Sequence, residues 1–180
     1  NEPYLIIDLN DNKLIFFVVS FEQKKNFKVL KKIILETSGI QNGRVINIGT
    51  ISQLLKQTIS SIEDEINYFF SNVAVIINPN QINCLNVSGY KKLNGSQVSS
   101  DDITYILNDI KKIILESENN DYLVHLFNSN FSLDSDNLDN LPIGLFGEFY
   151  NQNMTFFLAN KNIIRNIKSI FNNCGLNIEK

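Results

Sequence analysis

The hydrophobic pattern predicts a mixed α/β chain of the α+β kind, made of two consecutive units, and three observations carry that expectation. Tyr4-Leu5-Ile6-Ile7 and Leu14-Ile15-Phe16-Phe17-Val18-Val19 are short continuous apolar runs of the kind found in buried strands. Ile51, Leu54, Leu55, Ile59, Ile62, Ile66, Phe69 and Phe70 recur at three-and-four spacing, which lines one face of a helix. After Asn80 the succession of strand and helix patterns starts afresh. With 180 residues, 43% of them hydrophobic, the chain is long enough for one large core or two small ones.

In chain order, Asn10-Asp11-Asn12-Lys13 joins the first two strands as a hairpin turn, because Asn and Asp tolerate the left-handed backbone. Residues 27–35 supply a third β-rich segment and complete a meander, before Gly39 and Gly43 interrupt the pattern. The helix over residues 51–70 follows. Val73-Ala74-Val75-Ile76-Ile77 then reads as a buried strand ended at Asn78-Pro79-Asn80, where proline cannot donate to a ladder. The second unit opens with a strand over residues 82–90 and a turn at Leu93-Asn94-Gly95. Ser99 offers an N-cap with Asp102 three residues on, ahead of the helical face Ile103, Ile106, Leu107, Ile110, Ile113 and Ile114. Strands are expected over residues 122–127, extending toward Leu133, and over residues 148–159. A last helix buries Ile163, Ile164, Ile167, Ile170 and Phe171 and stops at Gly175, suited to a left-handed cap, after which Leu176-Asn177-Ile178 returns as a strand. From Gln81 onward the expected order is β-α-β-β-α-β.

The formal net charge is −3, and Lys and Arg are scattered, so the chain lacks the electrostatic footprint of a nucleic-acid-binding protein. Its densest basic stretch, Lys24, Lys25, Lys28, Lys31 and Lys32, alternates with Phe27, Val29, Leu30, Ile33 and Ile34 and reads as the solvated face of a strand. Cys84 and Cys174 have no CxxC spacing and His125 is the only histidine, too few ligands for zinc. Both thiols are expected as reduced core residues of a cytosolic protein. No apolar run approaches the roughly 20 residues of a membrane span, and the start at Asn1 does not have the pattern of a signal peptide. The abundance of Asn, Ile and Lys points to an AT-rich coding sequence, a bias that converts small polar motif positions to Asn.

Two segments carry a family resemblance. Gly39-Ile40-Gln41-Asn42-Gly43-Arg44-Val45-Ile46-Asn47 resembles the Gly-Ile-x-x-Gly-x-Ile/Val-x-Asp/Asn segment of FtsA, the actin-like bacterial cell-division family. Leu141-Pro142-Ile143-Gly144-Leu145-Phe146-Gly147 is similar to that family's Pro-Ile/Val-Gly-Met/Leu-x-Gly segment. Further pieces follow in the family's order: Gly95 with Val98-Ser99-Ser100-Asp101-Asp102-Ile103, Leu123-Val124-His125, Phe131-Ser132-Leu133-Asp134, and Asn162-Ile163-Ile164-Arg165-Asn166 through Cys174-Gly175-Leu176. The resemblance implies the actin, Hsp70 and sugar-kinase fold, which is ribonuclease H-like. Residues 1–80 would be the first part of subdomain 1A, and residues 81–180 the inserted SHS2-type subdomain 1C. It also implies an N-terminal fragment, stopping before the rest of 1A, subdomains 2A and 2B and the membrane-binding C-terminal helix.

In actin-like ATPases an Asp-x-Gly-Thr/Ser-x-Lys/Arg hairpin closes on the β- and γ-phosphates. The matching residues are Asp8-Leu9-Asn10-Asp11-Asn12-Lys13. Asp8 and Lys13 keep the acid and the base, Asn10 stands for the glycine, and Asp11 replaces the hydroxyl. A carboxylate facing phosphate repels it unless a metal intervenes. Asp8, Asn10, Asp11 and Lys13 therefore read either as a degenerate nucleotide site or as an ordinary Asx turn. The resemblance places the second phosphate loop and the adenosine-binding segment beyond Lys180, so no cofactor is expected for this chain alone, and Mg-ATP is assigned only to a full-length parent. No catalytic residue or metal ligand is assigned. His125 between apolar residues reads as a core histidine, and Glu63, Asp64 and Glu65 as solvating a helix. Asp134-Ser135-Asp136-Asn137-Leu138-Asp139 lacks the fixed glycine and closing Glu of a calcium loop and reads as a surface loop.

The resemblance implies a scaffold at the cytoplasmic face of the inner membrane at the division site. FtsZ and membrane would be reached through parts of the parent outside this chain, other division proteins and further copies through subdomain 1C, and nucleic acid not at all. Loops at residues 94–99 and 135–140 are the candidate contact points. An incomplete actin-like half would expose apolar surface and self-associate. The alternatives are a pilus-assembly adaptor of the PilM type, against which the two motif segments argue, and a nucleotide-hydrolysing actin-like ATPase, against which the altered hairpin argues.

Overall fold

The computed structural model describes residues 2–23 and 26–179; Lys24 and Lys25, at the head of the basic stretch, lie outside the described residues. The chain divides into two units, one reaching Gln81 and resuming at Asn162, the other formed by Ile82–Lys161.

In the first unit β1 (Pro3–Asn10), β2 (Lys13–Gln23) and β3 (Asn26–Glu36) form the expected antiparallel meander. The Gly39 segment folds into a two-stranded ladder of β4 (Ile40–Gln41) and β5 (Arg44–Val45), closed by Asn42 and Gly43 at φ 50° and 71°. Two consecutive left-handed residues written Asn-Gly make the type I′ turn that matches strand twist. Asn47 then caps α1 (Ile48–Ile66), its side-chain oxygen accepting from the Thr50 N–H at 2.9 Å. The helix ends four residues earlier than its apolar pattern suggests. Asn67 turns left-handed at φ 52°, so that Phe70 folds back into the core while Phe69 stays 78% exposed. β6 (Asn72–Ile77) returns parallel to β1, and a 3-10 turn at Pro79–Gln81 ends this pass.

The second unit contains β7 (Ile82–Lys92), α2 (Ser100–Ser117), β8 (Asp121–Leu133), β9 (Asp136–Leu138) and β10 (Phe149–Asn160), with strand order β7-β10-β8-β9. α2 opens with the expected capping box: Ser99 Oγ accepts from the Asp102 N–H, the Asp102 carboxylate accepts from the Ser99 N–H at 2.8 Å, and Lys91 Nζ lies 2.5 Å from Asp102. Ile106, Ile110 and Ile114 of α2 pack with Tyr150, Met154, Phe156 and Leu158, alternate residues of β10. Gly89 of β7 has to lack a side chain here, since a Cβ would meet Ile110 Cδ1 at 2.3 Å and Ile106 Cγ2 at 2.4 Å. The buried Gln152 is satisfied on both sides, accepting from the Tyr150 hydroxyl at 3.1 Å and donating to Asn128 Oδ1 at 2.7 Å. Burial pushes the Tyr150 hydroxyl up to about 12.

The other face of this sheet carries Asn86, Ser88, Asn153 and Thr155, hydrogen-bonded in pairs across the strands, beside Cys84, His125, Phe127 and Phe157. Cys84 and His125 are accordingly exposed, and the expectation that they are core residues is corrected. α2 packs on one face, and both residues alternate onto the other.

The chain then returns to the first unit as α3 (Lys161–Asn172) and β11 (Asn177–Ile178), the latter pairing parallel with β6 to give the order β11-β6-β1-β2-β3. Ile167, Ile170 and Phe171 of α3 share one core with Leu5, Ile7 and Leu9 of β1 and with Leu55 and Ile59 of α1. The boundary expected at residues 80/81, with everything beyond it in the second unit, is therefore corrected. The second unit is an insertion that ends at Lys161, because α3 and β11 find their apolar partners and their ladder in the first unit. Cys174 is partly buried there, its thiol 3.1 Å from the Ile170 carbonyl, and burial pushes it up.

Two outcomes follow from the α2 packing. Gly89→Ala should lower stability by about 1–3 kcal/mol through overpacking, read from urea unfolding midpoints. Asp102→Ala should cost about 1 kcal/mol at neutral pH. The Lys91 ammonium and the Ser99 hydrogen bonds hold the Asp102 carboxyl down at about 2. Its contribution is thus present above about pH 4 and disappears as pH falls through about 2, where wild type and variant should melt together.

Candidate functional site

The candidate site is the tip where Asn10 and Lys13 pair across β1 and β2 around Asp11-Asn12. Asn12 adopts φ 55°, as the turn chemistry predicts. Both tip amides donate within the chain: Asp11 N–H to Asn10 Oδ1 at 2.7 Å and Asn12 N–H to the Ile40 carbonyl at 3.2 Å. The Asn12 carbonyl accepts from the Thr37 N–H at 2.9 Å, and Asp11 Oδ1 accepts from the Asn42 N–H at 2.7 Å. The tip thus sits against the β4–β5 turn. That turn is held from its other side, where Gln81 Nε2 donates to the Asn42 carbonyl at 2.8 Å and Arg44 Nε donates to Gln81 Oε1 at 3.2 Å.

Asp8 lies in mid-sheet between Ile15 of β2 and Ile76 of β6. Its neighbours Ile7 and Leu9 point into the helix-packed core, so Asp8 alternates to the opposite face, half-buried, and desolvation raises its carboxyl above the usual range. Lys13 is exposed and stands opposite Glu36 of β3. Of the four predicted residues, Asn10, Asp11 and Lys13 meet at the tip, while Asp8 sits two residues back along β1.

A phosphate cradle needs amide N–H groups that converge on the anion. Here the two tip amides already have acceptors, and the apical side chain is itself an anion, so the residues of this hairpin do not fit a polyphosphate. Asn42 is the participant that sequence reasoning missed as a site residue. Its signal was available, because an Asn-Gly pair between two short β-prone segments is the strongest local mark of a hairpin. At the opposite end of β1 a groove of about 420 Å³ is lined by Glu2, Tyr4, Phe21, Tyr68, Phe70 and Glu179.

Other predicted residues have structural partners. Glu63 Oε1 accepts from the Phe70 N–H at 2.8 Å, and Glu65 pairs with Lys31, so these two do more than solvate α1. Asp134, at φ 56°, accepts from the N–H groups of Glu148 and Phe149 at 2.8 and 2.9 Å, which makes its run a turn that fixes β10. Among the described residues no group of three His, Cys, Asp or Glu side chains could hold a metal, and no helix is long and apolar enough to cross a membrane. The segment at residues 94–99 is tied to the Pro142–Gly147 stretch. Val98 N–H donates to the Leu145 carbonyl and Gly144 N–H to the Val98 carbonyl, both at 2.9 Å. A Cβ at Gly147 would meet Leu133 at 2.5 Å, which presses this stretch onto the sheet end. Ile143, Leu145 and Phe146 remain more than half exposed, Phe146 at 70%.

No protein-family model matches the chain. The cell division protein FtsA of Buchnera aphidicola subsp. Schizaphis graminum is 20% identical over 174 residues, 97% of this chain and 41% of that protein. FtsA of the subspecies Baizongia pistaciae is 21% identical over 141 residues, 78% of this chain and 33% of that protein. The chain spans about two fifths of the length of the first of these relatives. A solved PilM-PilN type IV pilus biogenesis complex superposes with a TM-score of 0.58 over 98% of this chain and 46% of its own, at 11% identity, a likeness of fold alone. The resemblance to FtsA read from the motifs holds along nearly the whole chain, and the fold is mixed α/β and partly actin-like.

Asp8 gives a direct test of what the sheet demands. A carboxyl raised by burial contributes stability in its protonated form, present below the unfolded value of about 4 and lost as pH rises through the folded one. Asp8→Asn, neutral at all pH, should melt higher than wild type at pH 7, with the difference closing as pH falls below about 4. Thermal melts at both pH values check this.

Proposed function

We propose that this chain is part of a cell-division scaffold of the FtsA kind, and that its second unit, corresponding to the SHS2-type subdomain 1C, makes protein-protein contacts. The observation that carries the reading is the sequence similarity to FtsA over 97% of the chain, at matched order through both units. The exposed apolar stretch Ile143, Leu145 and Phe146 supports a contact role, because its backbone is fixed by hydrogen bonds while its side chains stay in water. The scaffold would act on the cytoplasmic face of the inner membrane at the division site. Links to FtsZ and to the membrane would run through parts of the protein outside this chain.

A second reading, a pilus-assembly adaptor, rests on the superposition with the PilM-PilN complex. It has weaker support, since that likeness is of fold while the likeness to FtsA is of sequence.

A two-hybrid assay separates them, with this chain as bait against a second copy, FtsA, later division proteins and a PilN-type peptide. Capture of a division protein or of FtsA, weakened at least tenfold by Leu145→Glu with Phe146→Ser while the melting temperature is unchanged, is the expected result. Capture of the pilus peptide with no division partner would sink the scaffold reading.

A further inference from the structure

We propose that the β1–β2 hairpin is a built-in clasp and not a phosphate-binding loop: Asp11 supplies the anion at its apex from the chain itself and uses it to hold the Asn42 turn. The observations that carry this do not depend on the division-scaffold reading. Both tip amides, Asp11 and Asn12, already donate to acceptors within the chain, so neither points free at a ligand. The Asp11 carboxylate accepts from the Asn42 N–H at 2.7 Å, a charge-assisted bond of the stronger kind. An incoming phosphate would have to displace that N–H and would then face a carboxylate of its own sign.

The receiving half of the clasp is preorganised as well. Asn42 and Gly43 occupy the left-handed backbone of the type I′ turn. Gln81 fixes the Asn42 carbonyl, and a Cβ on Gly43 would meet Asn78 at 2.6 Å, so the turn sits tightly against its neighbours. Through Thr37 and Ile40 the same tip reaches the end of β3 and the start of β4. The clasp therefore fixes the path from β3 into the Asn47 cap of α1 without any bound molecule.

The test uses the ¹⁵N-labelled chain and two probes, Mg-ATP and Mg-pyrophosphate, titrated to millimolar concentration. The Asp11, Asn12 and Asn42 amide resonances of the native chain should not move with either probe. Asp11→Ala should speed hydrogen exchange of the Asn42 amide about tenfold, the size expected for a lost bond to a charged acceptor, while the Ile110 amide in the other unit keeps its rate. Asp11→Asn, which retains an acceptor oxygen, should keep most of that protection. Saturable shifts at the tip amides with either probe would overturn the proposal, and so would an Asn42 exchange rate that Asp11→Ala leaves unchanged. The titration is made on the native chain and stands even where the alanine variant folds poorly.

Discussion

The parallel pairing of β1 with β6 sets the rest of the first unit. Neighbouring parallel strands cannot be joined by a tight turn, so the chain between them must cross over the sheet, and α1 does so. The next parallel step, from β6 to β11, is made by α3, with the whole second unit placed ahead of it in the chain. Right-handed crossovers running in the same direction across a sheet leave their helices on the same face. That is why residues of α1 and α3, more than a hundred positions apart, share a core with Leu5, Ile7 and Leu9. Each of those side chains gains about 1.5–3 kcal/mol from full burial, against about 0.5–1.5 kcal/mol net for an ordinary uncharged hydrogen bond.

The same arrangement explains why the opposite face is compromised. Strand alternation sends Ile6 and Asp8 of β1, Ile15 and Phe17 of β2 and Ile76 of β6 to the side away from the helices, where they are half-buried or exposed. Asp8 is partly desolvated there, which is why its carboxyl is raised. Asp102 in the second unit is the converse case. An ammonium and a hydroxyl meet it directly, and its carboxyl is lowered. Two carboxylates of one chain move in opposite directions because one is held by donors and the other is partly desolvated.

The local features were legible in the sequence. The meander, the left-handed Asn12, the capping box at Ser99 and Asp102 and the left-handed stop at Gly175 all depend on residues within a few positions of one another, which pattern reasoning captures. What stayed hidden depends on distant partners. Nothing local tells α3 that its apolar face belongs with β1 and not with the strands just before it, and β11 is two residues long, too short to carry a pattern. The burial assigned to Cys84 and His125 failed for a related reason: alternation gives two faces, and only the position of α2 decides which one is dry. At the hairpin the sequence showed that Asp11 was wrong for phosphate, but the residue it serves, Asn42, lies 31 positions away.

The strands that begin and end the inserted unit are neighbours, with Ile82 of β7 opposite Ala159 of β10. The points where the chain leaves the first unit and where it re-enters are therefore about one interstrand spacing apart, roughly 5 Å. To the first unit, eighty residues of inserted structure are no wider at the seam than a tight loop. Such a seam places little geometric demand on what is spliced into it, so the inserted unit can change its surface, its size or its partners while the sheet that carries it keeps its register.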